Sequence, residues 1–242
     1  MKFYSLPFFC LVGSLLLACA AALSMTPTVL SAAPALAGTI PYLALGDSYT
    51  IGEGATHAER WPVQLAALAR AQGLPLAAPD IIARTGWTTA ELLDAIEASG
   101  NQRTDYGLVS LLIGVNNQYR GQPVARYRAE LRELLARATR FAGGRPGRVL
   151  VLSIPDWGQA PFAEGRDRVR IGQEINEFNA VAQVECQRAG IQFVDITPLT
   201  RQAEGEFVAD GLHYAGSQMR RWVELALPAA RQLLTKNDAG GQ

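Results

Sequence analysis

From Ile40 onward the chain alternates short apolar runs with longer stretches that repeat apolar residues at helical spacing. No other feature limits the fold as much. Strands separated by helices close most readily as βαβ units, in which the strands lie parallel. Strands are expected at residues 42–45, 81–83, 108–113, 148–154 and 192–195. The apolar run at 108–113 suits a strand covered on both faces. Helices are expected at 61–71, 88–98, 124–141, 169–189 and 217–234. In the first, Leu65, Leu68 and Ala71 share a face. The second opens with Thr88 and Glu91 as a capping box ahead of Leu92, Leu93 and Ile96. The third turns Leu131, Leu134 and Leu135 inward, and Arg126, Arg128, Arg132 and Arg137 form a solvated face. The expected class is α/β, a three-layer α/β/α sandwich around a mainly parallel five-stranded sheet.

The N-terminal residues follow different rules. Residues 1–23 carry Lys2, an apolar stretch at 8–17 and then small residues, the pattern of an export signal. Leu16-Leu17-Ala18-Cys19 is similar to a bacterial lipobox, which would make Cys19 a lipidated membrane tether. Cleavage after Ala35-Leu36-Ala37 and an uncleaved span over 6–23 are the competing readings. All three place the domain outside the cytoplasm: periplasmic or anchored as a lipoprotein in preference to fully secreted. Residues 24–40, rich in Ala, Pro, Thr and Ser, read as a flexible tether. Residues 41–235 form the domain, and 236–242 a disordered tail. Of three cysteines only Cys186 falls in the domain, so no structural disulfide is expected, and Cys186 reads as a small core residue. Lys+Arg and Asp+Glu number 22 each, which gives no field that would favour nucleic acid. The domain is expected to be a monomer.

In an open parallel sheet, ligands bind beyond the carboxyl ends of the strands. Ser48 follows the first expected strand, Gly86 the second, Asn116 the third and Trp157 the fourth. Asp210 and His213 lie between the fifth strand and the last helix. Topology therefore gathers residues distant in sequence at one edge. Ser48, His213 and Asp210 are the parts of a nucleophilic hydrolase. Of the two histidines, His57 sits in a Gly/Ala-rich loop and reads as a surface or rim residue.

Four blocks carry a resemblance to a known family. They read Ala44-Leu45-Gly46-Asp47-Ser48-Tyr49-Thr50, Ala83-Arg84-Thr85-Gly86-Trp87, Ile113-Gly114-Val115-Asn116-Asn117 and Asp210-Gly211-Leu212-His213. In this order they resemble the SGNH subgroup of the GDSL esterase/lipase family, over about Pro41 to Leu234. The resemblance implies a flavodoxin-like SGNH hydrolase fold and a serine esterase that needs no metal or organic cofactor. It assigns Ser48 as nucleophile, His213 as base and Asp210 as the acid that orients it. The oxyanion hole falls to the Ser48 and Gly86 N–H groups and the Asn116 side chain. Its substrates would be carboxylic esters: lysophospholipid, short-chain acyl or acetyl-sugar esters. Two positions depart from the family pattern, Asn117 where aspartate is usual and Tyr214 where proline is frequent. Trp87, Asn117, Tyr119, Trp157, Phe162 and Tyr214 are expected to line a substrate pocket or pack in the core.

Other readings fare worse. No Gly-Lys-Ser/Thr follows the glycines of 46–54, and Gly52-Glu53-Gly54-Ala55-Thr56-His57 lacks the third small residue of a dinucleotide fingerprint. Ser48 is not in Gly-x-Ser-x-Gly. No Cys/His cluster suggests a metal. A non-catalytic glycan- or lipid-binding protein and an acyltransferase remain as alternatives. Asp47, beside Ser48, suits a structural loop hydrogen bond better than the triad acid.

Overall fold

A computed structural model describes residues 38–202 and 206–235. The expectations for the leader, Cys19, most of the tether and the tail at 236–242 lie outside the described residues.

In chain order the elements are β1 (Ile40–Gly46), α1 (Ser48–Ile51), α2 (Trp61–Ala71), β2 (Leu76–Ala83), α3 (Thr89–Ala98), β3 (Leu108–Leu112), α4 (Val115–Tyr119), α5 (Val124–Phe141), β4 (Val149–Leu152), α6 (Arg168–Ala189), β5 (Gln192–Val194), α7 (Thr197–Thr200) and α8 (Gly216–Thr235). The five strands are all parallel in the order β2-β1-β3-β4-β5. Helices cover both faces of the sheet. On one, α2 packs on α8; on the other, α5 lies between α3 and α6. The chain winds first to one side of β1 and then to the other, so the crevice between the C-terminal ends of β1 and β3 is the topological switch point.

Local chemistry explains the boundaries. Thr88 accepts from Glu91 N–H, and the Glu91 carboxylate takes the Thr88 N–H at 2.7 Å, which completes the expected capping box. Gly190, in the left-handed region, ends α6. Strand β2 runs five residues ahead of its expected start, through Pro79 and Asp80. It lies at the sheet edge, where a proline's missing N–H is tolerated. The helices α1, α4 and α7 have only four or five residues, too short to show a period. Cys186 is buried on α6, and burial pushes its thiol up to about 12, which suits packing and not nucleophilic chemistry. The solvated arginine face of α5 is partly tied down: Arg132 and Arg128 meet Glu185 of α6, whose side chain is only 3% exposed. Among the described residues no helix is long and apolar enough to cross a membrane.

Strand β3 is buried along its whole length, and its Leu111 lies between Leu45 of β1 and Val151 of β4. Leu111→Ala is expected to cost about 2–5 kcal/mol, because a close-packed sheet centre collapses poorly around a cavity. Urea unfolding checks this; a loss under 1 kcal/mol would mean that the helices on either face move in to fill the gap.

Candidate active site

Strand β1 ends at Gly46, and the chain turns at once into α1. A Cβ on Gly46 would stand 2.5 Å from the Leu112 carbonyl oxygen and closer still to Thr50 Oγ1, so only glycine fits. Asp47, not Ser48, caps α1: its Oδ1 accepts from the Tyr49 N–H at 3.0 Å. Ser48 is thereby placed at the first position of the helix, where its own N–H has no intrahelical acceptor.

The carboxylate and imidazole arrive together. Phe207 and Tyr214 form an antiparallel bridge, and Val208 N–H donates to the His213 carbonyl at 2.9 Å. At the tip of this hairpin, Asp210 Oδ1 accepts from the N–H groups of Leu212 (2.8 Å) and His213 (2.9 Å). Asp210 Oδ2 lies 2.6 Å from His213 Nδ1. A carboxylate there fixes the ring proton on Nδ1 and leaves Nε2 as an acceptor. Burial works to raise the Asp210 pKa, but the hydrogen bonds from the His213 ring and the two backbone N–H groups outweigh it and hold Asp210 below the usual carboxylate range.

A cleft of about 160 Å³ joins these pieces, lined by Ser48, Gly86, Asn116 and His213 together with the side chains of Val115, Tyr119, Trp157, Phe162 and Leu212. No hydrogen bond joins the Ser48 hydroxyl to His213 among the described residues. Such bonds are often long until substrate binds. Asn116 spends one amide hydrogen on the Trp87 carbonyl, at 2.9 Å, which orients the side chain and leaves the second hydrogen for a ligand. Gly86 has φ +85°, a left-handed conformation that turns the second block into the cleft. A larger hollow of about 620 Å³ lies by α5 and α6 and is lined by Arg132, Arg188 and Glu185, but no histidine reaches it.

Residues 44–218 match the GDSL-like Lipase/Acylhydrolase family. The chain belongs to that family. It is an ester hydrolase. No curated protein sequence matches it. Among solved structures it is similar to TesA, with TM-score 0.63 and 22% identity over 80% of this chain and 99% of the other. It is similar to phospholipase A1 from Streptomyces albidoflavus NA297, with TM-score 0.59 and 19% identity over 80% and 99%. A carbohydrate acetylesterase family member from Sinorhizobium meliloti gives TM-score 0.60 and 15% identity over 81% and 99%. At these identities the structures establish a shared fold.

In this GDSL-like acylhydrolase three expected lining residues lie elsewhere. Asn117 is fully buried: its Oδ1 accepts from Thr89 N–H, and its Nδ2 donates to Thr89 Oγ1 and Gln122 Oε1. Consecutive residues of a helix point about 100° apart, so Asn116 and Asn117 cannot both face the cleft. Tyr214 is buried against Tyr49, Phe207 and Trp222, and its hydroxyl donates to the Asp156 carbonyl. Trp87 packs its ring, half-buried, on the core and offers the site only its carbonyl. Tyr119, Trp157 and Phe162 do line the cleft, and the Arg166 guanidinium lies over all three rings, closest to Phe162 at 4.8 Å. His57 is exposed, as expected. Val115 and Leu212 escaped the sequence reading because an aliphatic residue beside a motif carries no signal of its own.

Asp47 is wholly buried, and its Oδ2 has no hydrogen-bond partner among the described residues. Burial pushes its carboxyl up to about 7, against the lowering effect of backbone hydrogen bonds. An unfolded aspartate ionises near about 3.9. Between these values the folded chain binds more protons than the unfolded one, so this group's contribution to stability declines as pH rises from about 4 to 7 and is constant above that. Asp47→Asn keeps an acceptor for Tyr49 and removes the titration. The variant is expected to gain stability relative to the parent across that window. Urea midpoints at several pH values check this, and parallel profiles for the two proteins would reject it.

Proposed function

We propose that this protein is an exported serine esterase acting on short-chain carboxylic esters. Ser48 Oγ attacks the ester carbonyl carbon while His213 Nε2 takes its proton, and Asp210 stabilises the imidazolium. The tetrahedral oxyanion is held by the N–H groups of Ser48 and Gly86 and by the free amide hydrogen of Asn116. Collapse expels the alkoxide, which receives the proton from His213 and leaves as alcohol. Water then gives its proton to His213, attacks the acyl-serine and releases the acid, and the proton returns to Ser48 Oγ.

The observation that carries this reading is the 2.6 Å Asp210–His213 contact on a cleft that Ser48, Gly86 and Asn116 also line. The preference for short acyl groups rests on size: about 160 Å³ falls below the roughly 300–1,000 Å³ typical of drug-sized ligand sites. The aromatic and aliphatic lining suits an acyl chain better than a free sugar.

Hydrolysis of p-nitrophenyl acetate, butyrate and octanoate tests both parts. Acetate and butyrate are expected to give the higher kcat/KM, and Ser48→Ala to abolish turnover. Asn116→Ala is expected to lower kcat roughly 10²–10³-fold with the fold intact. Parent protein that is folded yet neither turns over nor reacts with a fluorophosphonate would favour a binding protein, and octanoate as the best substrate would remove the size argument.

For export, support comes from Lys2 and the apolar residues 8–17, and for a tether from Cys19 within its lipobox-like sequence. Labelled palmitate fed to bacteria expressing the chain is expected to enter the protein and to be lost in Cys19→Ala. Equal labelling of the two would exclude that tether.

A further inference from the structure

We propose that Arg120 is a positioning residue for the oxyanion hole, acting through the carbonyl oxygen of Gly86. The inference rests on the esterase reading above.

An oxyanion donor works only if its N–H points to where negative charge develops, and a misplacement of a few tenths of an ångström weakens it. Gly86 is a poor candidate for holding such a direction unaided. Glycine has the most permissive backbone, and at φ +85° Gly86 lies outside any regular element. A single backbone hydrogen bond braces this turn, Trp87 N–H to the Arg84 carbonyl at 3.3 Å. Side chains from elsewhere supply the rest. Thr85 Oγ1 donates to the Glu53 carboxylate. Asn116 Nδ2 donates to the Trp87 carbonyl at 2.9 Å. Between them Arg120 Nη2 donates to the Gly86 carbonyl at 2.6 Å. The Gly86–Trp87 peptide plane is thus held at both its carbonyl and its N–H, and the plane that carries the Gly86 N–H is bounded by that plane on one side and by the tethered Thr85 on the other.

Arg120 is itself anchored. Its Nη1 meets both Glu91 oxygens at 3.3 Å, and Glu91 is held by the N–H and hydroxyl of Thr88 in the capping box of α3. The path from Gly86 through Trp87 and Thr88 to Glu91, and back through Arg120, is a closed ring. Its second anchor is α4: Arg120 N–H donates to the Asn116 carbonyl at 3.1 Å. The short helix that carries the Asn116 donor therefore also anchors the clamp on the Gly86 carbonyl, across the Cα from the Gly86 N–H.

The side chains of Arg120 and Glu91 are 44% and 42% exposed. A surface pair of that kind adds little to global stability. A purely structural role would therefore leave few traces on removal, whereas a positioning role predicts a loss confined to transition-state stabilisation.

The test uses the full chain with p-nitrophenyl butyrate. Fluorophosphonate labelling of Ser48 in the parent establishes the nucleophile independently. Arg120→Ala is expected to lower kcat about ten- to a hundred-fold, short of the 10²–10³-fold loss of an oxyanion donor outright, with KM within about twofold of the parent. Affinity for a trifluoromethyl ketone, which forms the oxyanion, is expected to fall by the same factor as kcat/KM. Arg120→Lys is expected to recover part of the loss, since an ammonium can reach the carbonyl but lacks the second nitrogen that meets Glu91. Glu91→Gln keeps Arg120 and loosens its anchor, so it gives a smaller loss; it also supplies the measurement should Arg120→Ala fail to fold. Unchanged kcat in Arg120→Ala, or in Glu91→Gln where that variant stands in for it, overturns the inference while labelling of the parent preserves the esterase reading. A rise in KM without a fall in kcat also overturns it. A parent that neither labels nor turns over removes the esterase reading and this inference with it.

Discussion

At the end of β1 the chain passes so close to β3 that the Leu112 carbonyl and the Thr50 hydroxyl occupy the space a side chain on Gly46 would need. That contact sets where everything downstream can be. It lets β1 turn into α1 while still beside the end of β3, and Ser48 and Asn116 therefore open onto the same crevice from neighbouring strands. Parallel strands bring their carboxyl ends to one edge in any protein of this class. The narrowness of this edge comes from one missing Cβ.

The site draws its order from side-chain to backbone hydrogen bonds more than from regular structure. Asp47 caps α1, Asn116 grips the Trp87 carbonyl, Arg120 grips that of Gly86, and Asp210 takes two N–H groups from its own loop as well as the imidazole. One of these ties carries a cost. Asp47 leaves an oxygen unpartnered in the interior, and burial of such a group opposes folding. Local rules yield where the chain must hold a particular residue in a particular place.

Much of this was legible in the sequence, for identifiable reasons. The long helices α2, α5, α6 and α8 declare themselves by a 3.6-residue period, and α3 by the capping box of Thr88 and Glu91. The four blocks at Ser48, Gly86, Asn116 and His213 are legible because together, in this order, they resemble the SGNH pattern, and a parallel sheet gathers them at one edge. What stayed hidden depends on direction or distance. Asn117 and Tyr214 sit beside site residues yet point into the core, and adjacency in sequence says nothing about which way a side chain turns in a short helix or a hairpin. Strand β2 shows only its last residues in the sequence because Pro79 and Asp80 break its apolar run, though an edge strand admits both. The partner of Arg120 lies 34 residues away and is a carbonyl, which every residue has, so no pattern of residue types announces it.

The Asp210–His213 pair rides on a single hairpin, closed by the bridge between Phe207 and Tyr214 and seated by the Phe162 N–H on the Gly211 carbonyl at 3.0 Å and by the Tyr214 ring on Tyr49 and Trp222. Imidazole and carboxylate are thus coupled to each other through three residues of one loop, and to Ser48 only through packing. The pairing of imidazole with carboxylate and the distance of both from Ser48 are therefore set by different contacts. A shift of the hairpin on its seat would open the distance to the hydroxyl while the 2.6 Å Asp210–His213 hydrogen bond travelled with it unchanged. The site thus divides into a pair fixed within one loop and a hydroxyl carried on α1, and the joint between them runs through the packed rings of Tyr214, Tyr49 and Trp222.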